Sequence, residues 1–282
     1  MALTVGTGLF GHNPTARFNR ELPDRSTLFF LQPTYKWLRV KLGGEWVANS
    51  RGAALLYRFG SLPLYVVPAD DVADGALERD DAPAEDAGPL GEVSSWTVRG
   101  GEEVRAGGAR TYSHELLEGW VELEWYSMDE WWEEDERIHV HPRDPYHRID
   151  ILPSSRRVKV SVNGVTLAGT SQAKLLLETT LPPRWYIPRE DVRLDLLEPS
   201  DRRTRCAYKG EASYFSAAAD GLAEADLAWT YEGPWREAEL VAERICFFNE
   251  RVDLEVDGKL EERPVTPWSK GFPDDFPRGG LE

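Results

Sequence analysis

A thiol, an amine and a carboxylate stand out among the residues that could do chemistry. Cys206 and Lys209 lie three positions apart in the segment CAYKG, and Glu178 follows the apolar run LLL. A nearby ammonium favours a nucleophilic thiolate, so Cys206 is a candidate catalytic residue, with an inert, half-buried thiol as the alternative. Lys209 is interpreted as the holder of an anionic group such as a carboxylate or phosphate. Glu178 is interpreted as a general acid or base, or as the ion-pair partner of Lys209.

Aromatic side chains accompany these groups and could pack a ligand. A set of Trp and Tyr rings suits a flat or cationic ligand, although aromatic residues on strands also serve as core. A glycine within the set permits close approach of the backbone to a ligand. The candidate ligand-binding residues are Trp185, Tyr186, Tyr208, Gly210, Tyr214, Trp229 and Tyr231.

Three histidines form a weaker candidate for metal binding. His139 and His141 have the spacing that places two imidazoles on one face of a strand, and His147 and Asp144 follow closely. A rigid linker braced by polar contacts is the alternative, because prolines interrupt the segment. We therefore assign no metal site and keep His139, His141 and His147 as candidates; the cofactor is left unknown.

An internal repeat organises the chain. The segment beginning at Val40 aligns without a gap on the segment beginning at Val160, at a constant shift of 120 positions. Ten positions of this block are identical, and a weaker match continues at a shift of 119, where Gly91 and Tyr112 meet Gly210 and Tyr231. The chain is therefore predicted to contain two diverged copies of one domain.

The two copies differ at the candidate site residues. Opposite Cys206, Lys209 and Glu178 the first copy has Ala87, Leu90 and Arg58, and opposite Trp185, Tyr186 and Trp229 it has Tyr65, Val66 and Arg110. A chemical site can decay in one copy while scaffold residues persist, so we predict that only the second copy carries a site. The alternative is that these positions belong to a different interface between the domains.

Alternating apolar and polar residues predict β-hairpins in both copies. Val158, Val160 and Val162 alternate up to Asn163-Gly164, and Leu38, Val40 and Leu42 alternate up to Gly43-Gly44. Helical periodicity is scarce, so the fold class is predicted to be mainly β: two tandem copies of a small β domain with little helix. We predict a first, degenerate domain at 1–145, a second domain with the probable site at 146–265, and a flexible tail at 266–282.

The composition disfavours several classes of function. The formal net charge of −16 argues against nucleic acid as a partner, because phosphates are bound mainly by Lys and Arg. No apolar run reaches the roughly 18 residues of a membrane span, and residues 1–10 lack the pattern of a signal peptide, so no membrane partner and a cytoplasmic location are expected. Signatures of common nucleotide-binding and hydrolytic enzymes, such as GxxxxGK[ST] and GxSxG, are absent from the sequence.

The second copy resembles a known family. The resemblance lies in the stretches LLLETTLPPRWYIPREDVRLDLLEPSDRRTRCAYKGEASYF, LAWTYEGP and CFFNERVDLEVDG, which are highly specific for the domain-of-unknown-function 427 family. The whole chain resembles its tandem, two-domain members. The family carries a provisional nucleotidyltransferase label, and the resemblance implies a compact fold, β-tent-like or a small barrel or sandwich of hairpins. The family pattern has proline where this chain has Ala207, so this loop lacks that restraint on its backbone.

Together these observations predict a small-molecule enzyme or ligand-binding protein whose site lies in the second domain. Lys209 and Glu178 would fix polar groups of the ligand, and Trp and Tyr side chains would pack against it. One alternative is a non-catalytic interaction module, in which the acidic run at 129–136 and exposed aromatic residues bind another protein or a second copy of the chain. The other is a metal-dependent enzyme using His139, His141 and His147.

Overall fold

The computed structural model describes residues 3–219 and 222–270, which are built mainly of β-strands. The chain divides between Asp144 and Pro145 into two compact units, called here the first and second unit. The predicted fold class, mainly β, is confirmed, because these residues form several curled sheets and their helices are short 3-10 turns. No helix within these residues is long and apolar enough to cross a lipid bilayer.

The first unit has a larger and a smaller antiparallel sheet. Its strands are β1 (Phe29–Pro33), β2 (Leu38–Leu42), β3 (Glu45–Ser50), β4 (Ala54–Arg58), β5 (Leu64–Pro68), β6 (Leu77–Arg79), β7 (Glu85–Asp86), β8 (Glu92–Gly100), β9 (Glu103–Tyr112), β10 (Trp120–Leu123), β11 (Glu130–Glu133) and β12 (Glu136–Ile138). The 3-10 helices are Arg25–Thr27, Ala69–Asp71, Gly88–Leu90, Glu115–Leu117 and Trp125–Ser127. The larger sheet has the order β1-β4-β5-β10-β9-β8-β6, with β7 also paired to β8, and the smaller sheet has the order β12-β11-β2-β3.

The second unit is built in the same way. Its strands are β13 (Ile149–Pro153), β14 (Val158–Val162), β15 (Val165–Thr170), β16 (Lys174–Glu178), β17 (Arg184–Ile187), β18 (Leu197–Cys206), β19 (Gly210–Ala219), β20 (Leu222–Thr230), β21 (Ile245–Phe247), β22 (Asp253–Val256) and β23 (Lys259–Leu260). The 3-10 helices are Arg189–Asp191, Leu194–Leu196 and Arg236–Val241. The larger sheet has the order β13-β16-β17-β21-β20-β19-β18, and the smaller sheet has the order β15-β14-β22-β23.

The strand order repeats between the units, as the internal alignment predicts. Strands β1 to β5 correspond to β13 to β17, β8 to β11 correspond to β19 to β22, and β18 occupies the place of β6 and β7. Val40 faces Ala48 in one hairpin and Val160 faces Ala168 in the other, and each hairpin has its bulge at the following residue. The shift of 120 positions is therefore also the shift of the strand register.

The predicted hairpins are confirmed by their turns. Asn163 and Gly164, between β14 and β15, have φ angles of 50° and 81°. A two-residue turn that matches the twist of its strands needs positive φ at both positions, which Asn and Gly adopt at low cost. Gly43 and Gly44 adopt the same conformation between β2 and β3, at 58° and 80°.

Each unit buries its main core between its two sheets. In the second unit, alternate residues of β14 pack against residues of the larger sheet, including Trp185 and Ile187. The opposite face of the same larger sheet carries another apolar cluster, called here the outer cluster, which includes Leu176, Tyr186, Trp229, Tyr231, Cys246 and Phe248. Because successive residues of a strand point to opposite faces, one strand supplies both clusters.

The segment expected to be a flexible tail begins with residues that are packed on the second unit. Thr266 donates a hydrogen bond from Oγ1 to Oε1 of Glu250 over 2.6 Å, and Trp268 packs against the outer cluster. Covering apolar surface with an indole ring offsets the entropy lost on ordering the segment. Residues 271–282 of the expected tail lie outside the described residues.

Candidate functional site

A buried carboxylate, Glu178, is the centre of the candidate site. Nε2 of His147 lies 3.1 Å from its Oε1, and Nζ of Lys209 donates a hydrogen bond to its Oε2. The side chains of His147, Glu178 and Lys209 are 0%, 4% and 9% exposed. These three residues are called the Glu178 cluster below.

Three separate elements deliver these side chains to one point. Strand β13 pairs with β16 so that Ile149 lies opposite Glu178, and His147 is therefore two residues from the carboxylate's partner position. Lys209 lies in the turn between β18 and β19, where Cys206 pairs with Gly210. Gly210 has a φ of +99°, a conformation disfavoured for residues with a side chain, so this turn requires glycine at that position. The backbone N–H of Trp235 donates to the carbonyl oxygen of Lys209 over 3.1 Å and fixes the turn.

The cluster keeps both of its charged members ionised. Burial by itself raises the pKa of Glu178, but the Lys209 ammonium and the hydrogen bond with His147 hold it below its ordinary value. Burial likewise works to lower the pKa of Lys209, but the neighbouring Cys206 sulfur and Glu178 carboxylate hold it above its ordinary value. At neutral pH Glu178 is therefore an acceptor rather than a proton donor, and Lys209 is a fixed cation rather than a nucleophilic amine.

Lys209 retains hydrogen-bonding capacity beyond its ion pair. An ammonium carries three N–H donors, and the side chain of Lys209 makes one hydrogen bond within residues 3–219 and 222–270, to Glu178. A buried donor without an acceptor is unfavourable, so the remaining N–H groups favour an acceptor from outside this set of residues. Lys209 is thus suited to hold an oxygen of a ligand.

Cys206 is the accessible thiol beside this cation. It is partly exposed at the end of β18, whereas Cys246 is fully buried in the outer cluster. Burial raises the pKa of the Cys246 thiol to about 12, which makes it unreactive. Burial, with the nearby Cys206 and Glu178, also raises the pKa of Tyr231 well above its ordinary value. The thiol, the cation and a neutral phenol are therefore close enough to influence one another electrostatically.

The aromatic candidates lie in three places: beside His147, in the outer cluster and in the main core. Tyr208 stacks on His147 with ring centroids 3.8 Å apart, and Nε1 of Trp229 donates to the hydroxyl of Tyr186 over 3.1 Å. Tyr214 also belongs to the outer cluster, where its hydroxyl shares a hydrogen bond with Thr204 over 2.7 Å. Trp185 is the exception, because it points to the main core while its neighbour Tyr186 points to the outer cluster. Its assignment to the same set as Tyr186 is corrected by the alternation along β17.

His147 takes a different part from the one that the sequence suggested. Its spacing to His139 and His141 made it a candidate for metal binding, although no metal site was assigned, and its Nε2 meets the Glu178 carboxylate. Among the residues that the structure describes, no three His, Cys, Asp or Glu side chains are grouped so as to hold a metal ion. The pairing of β13 with β16, as the strands flanking a hairpin, was the signal that could have placed His147 beside Glu178.

The first unit has its own buried polar residues on the equivalent face. The hydroxyl of Tyr112 donates to Oε2 of Glu122 over 2.5 Å, and Nη1 of Arg110 lies 3.4 Å from the other oxygen of Glu122. Strand pairing makes Glu122 the counterpart of Cys246 and Arg110 the counterpart of Trp229. The two copies have therefore exchanged one polar set for another, where the sequence comparison suggested only a loss in the first.

Comparison with known proteins bears on the second unit. Residues 150–258 match the family model NTP_transf_9, described as "Domain of unknown function (DUF427)". The matched range contains Glu178, Cys206 and Lys209, and His147 precedes it. No curated protein matches the chain.

Proposed function

We propose the function of this chain from its second unit, because residues 150–258 match the domain-of-unknown-function 427 family model, whose description assigns no activity. The second unit binds a small molecule at the Glu178 cluster. The ligand presents an oxygen acceptor, of a carboxylate, phosphate or carbonyl group, to the ammonium of Lys209. Tyr208 and Tyr231 pack beside it. The observation that carries this proposal is the buried Lys209 ammonium with one hydrogen bond where it can make three.

The energetics of a buried ion pair support a role beyond stability. Moving a charged group from water into a protein interior costs roughly several kcal/mol per ion. Replacing a buried ion pair by apolar side chains of similar volume therefore often leaves a protein equally stable. A buried pair is therefore better explained by what it positions. Glu178 neutralises Lys209 and fixes its direction, so that the ammonium needs little reorganisation to receive an acceptor.

The same electrostatics favour a binding and orienting role for Glu178 and Lys209 over a proton-transfer role. Both side chains remain charged at neutral pH, because the pKa of Glu178 is lowered and the pKa of Lys209 is raised. If the site also catalyses a reaction, Cys206 is the group for a covalent step, since it is the partly exposed nucleophile next to the cation.

Thermal unfolding in the presence of small carboxylates, phosphate monoesters and amides tests this proposal. We expect at least one compound to raise the Tm of the wild type, and the double variant Glu178→Gln/Lys209→Met to lose that rise. The double variant removes the ammonium without leaving an unpaired buried carboxylate. Lys259→Met, at an exposed lysine of β23, is the matched control and should keep the rise. Equal rises in the double variant and the wild type would contradict the proposal, and so would a wild type that no compound stabilises.

A second candidate function concerns the first unit, where the outward face of the smaller sheet carries three tryptophans. The guanidinium of Arg39 lies 3.9 Å from the ring centroid of Trp37 and 4.9 Å from that of Trp46, and Trp132 lies alongside. Their counterparts in the second unit are Arg157, Thr166 and Glu255. Trp and Arg are enriched in protein interfaces, so this face favours self-association of the chain. Sedimentation equilibrium tests it: Trp46→Thr should lower the average mass if this face joins two copies.

A further inference from the structure

A cavity lies at one end of the main core of the second unit, on the opposite face of the larger sheet from the Glu178 cluster. Its volume is about 210 Å³, and its lining includes Trp185, Leu175, Leu254, Val256, Asn249 and Arg156. Trp185, Leu254 and Val256 are each 6% exposed, whereas Arg156 is exposed, so the cavity has an apolar floor and a rim that meets solvent. The outer cluster takes no part in it.

The first unit has larger side chains at two of the three corresponding positions. Strand pairing makes Tyr65 the counterpart of Trp185, Trp131 the counterpart of Leu254, and Glu133 the counterpart of Val256. The ring of Trp131 stacks with that of Tyr65, with centroids 6.3 Å apart. Tyr65 and Lys36 both donate to the carboxylate of Glu133, over 2.7 and 2.6 Å.

At this end of the core the second unit therefore has Leu254 in place of Trp131, and Val256 in place of the hydrogen-bonded Glu133. A core that is otherwise tightly packed does not retain such a void without cost, because the lining residues lose their contacts. A ligand that occupies the void would restore them.

Trp185 supplies an independent indication of what the cavity accepts. The guanidinium of Arg156 lies 4.6 Å from the centroid of its ring, which holds the indole in place. Its Nε1–H donates to no acceptor within the described residues and is not among their fully buried polar atoms, so it stays accessible to an acceptor. An accessible indole N–H can donate a hydrogen bond to a group that enters the cavity. The floor of the cavity is thus apolar, with a donor in its wall.

We propose that this cavity binds a neutral molecule about the size of one aromatic ring that carries a hydrogen-bond acceptor. An apolar cavity of roughly 150 Å³ takes up benzene, so a volume of about 210 Å³ leaves room for a ring and one small substituent. The acceptor meets the Nε1–H of Trp185. A charged group would lose its hydration on the apolar floor, so the cavity disfavours an ammonium and a free carboxylate, and the carboxylates of Glu261 and Glu262 at the rim also repel the latter.

The indole N–H resonances of the ¹⁵N-labelled full chain provide the test, with benzamide as the probe. The signal of Trp185 is identified by its loss in Trp185→Phe. We expect benzamide to move that signal downfield in a saturable way, because the N–H gains an acceptor. Toluene, which has no acceptor, should bind more weakly and produce no downfield shift. Benzoate and benzylamine should each bind at least severalfold more weakly than benzamide.

Leu254→Trp introduces the residue that the first unit uses and should abolish saturable binding of benzamide. Leu240→Trp, at an exposed leucine, is the matched control for an added indole and should bind as the wild type does. If Leu254→Trp does not fold, Val256→Leu fills part of the same volume and should weaken binding at least severalfold.

Two results would overturn binding at this cavity. One is a Trp185 signal that does not move with benzamide, which would mean that the cavity holds water only. The other is an equal, saturable response in Leu254→Trp, which would place the probe elsewhere. Tighter binding of benzoate or benzylamine than of benzamide would overturn the neutral class of ligand.

Discussion

Nε2 of His147 lies 3.1 Å from Oε1 of Glu178, and this contact joins the segment before β13 to the last residue of β16. The other oxygen of Glu178 accepts a hydrogen bond from Lys209. One buried carboxylate thus serves two donors that lie 31 positions before and after it in the sequence. The stability of the second unit, and the ligand binding proposed for it, both depend on this carboxylate.

Removing the cation alone should destabilise the fold strongly. Lys209→Met leaves the carboxylate of Glu178 buried with His147 as its remaining donor among the described residues. We expect the free energy of unfolding to fall by about 3 to 5 kcal/mol, the usual cost of an uncompensated buried charge. Urea unfolding of Lys209→Met and Glu178→Gln/Lys209→Met measures it: the double variant should recover much of the loss. A single variant within about 0.5 kcal/mol of Lys259→Met would contradict the burial described here.

The stability contributed by Glu178 should depend on acid pH. Its pKa is lowered in the folded state from the ordinary value of 4.5, so the unfolded chain binds the proton more tightly. Its contribution is therefore present above pH 4.5 and is lost as pH falls below that value toward the folded pKa. The difference in unfolding free energy between wild type and Glu178→Gln, measured in urea at neutral pH and at about pH 3, should shrink at the lower pH. A constant or growing difference would show that the carboxylate is not stabilised as described.

Substitution of Gly210 should be costly for a backbone reason. Its φ of +99° is disfavoured for any residue with a side chain, and a Cβ there would lie 3.4 Å from the carbonyl oxygen of Gly233. Gly210→Ala should lower the free energy of unfolding by about 1 to 3 kcal/mol. Gly169→Ala is the control, since its Cβ would meet nothing within 4 Å. Equal effects of the two substitutions on thermal or urea unfolding would argue against the turn geometry.

The contact between Thr266 and Glu250 should tie the segment after β23 to the second unit. Glu250 also receives both terminal nitrogens of Arg184, over 2.8 and 2.7 Å, so Thr266 adds a third hydrogen bond to a buried carboxylate. Thr266→Val should reduce the unfolding free energy by about 1.5 to 3 kcal/mol, as for other hydrogen bonds to charged groups. It should also speed proteolysis near Trp268 at low protease concentrations. Thr166→Val, at an exposed threonine of β15, should change neither measurement.

Much of the local structure could be predicted from the sequence. Alternation at Val158, Val160 and Val162 and the dipeptide Asn163-Gly164 specify a hairpin through neighbours along the chain, and the structure contains that hairpin. The repeat identified the register of the second copy from that of the first. Cys206, Lys209 and Gly210 could be recognised as one turn, because they adjoin one another in the sequence.

The sequence did not show which side chains that are distant along the chain come into contact. Trp185 and Tyr186 were grouped by type, although one faces the main core and the other the outer cluster. Proline and glycine content suggested a tail, while the apolar surface available to Trp268 decided that its segment packs.

The sequence by itself determined the strands, their turns and their duplication, because these depend on periodicity and backbone preference within a few residues. The tertiary structure decided that His147 and Lys209 share the carboxylate of Glu178, and that Leu254 lines a cavity whereas its counterpart Trp131 stacks on Tyr65. Both outcomes depend on the order of strands in the sheets and on the volumes that meet between them. The strand order and these volumes are established only when both faces of each sheet are buried together.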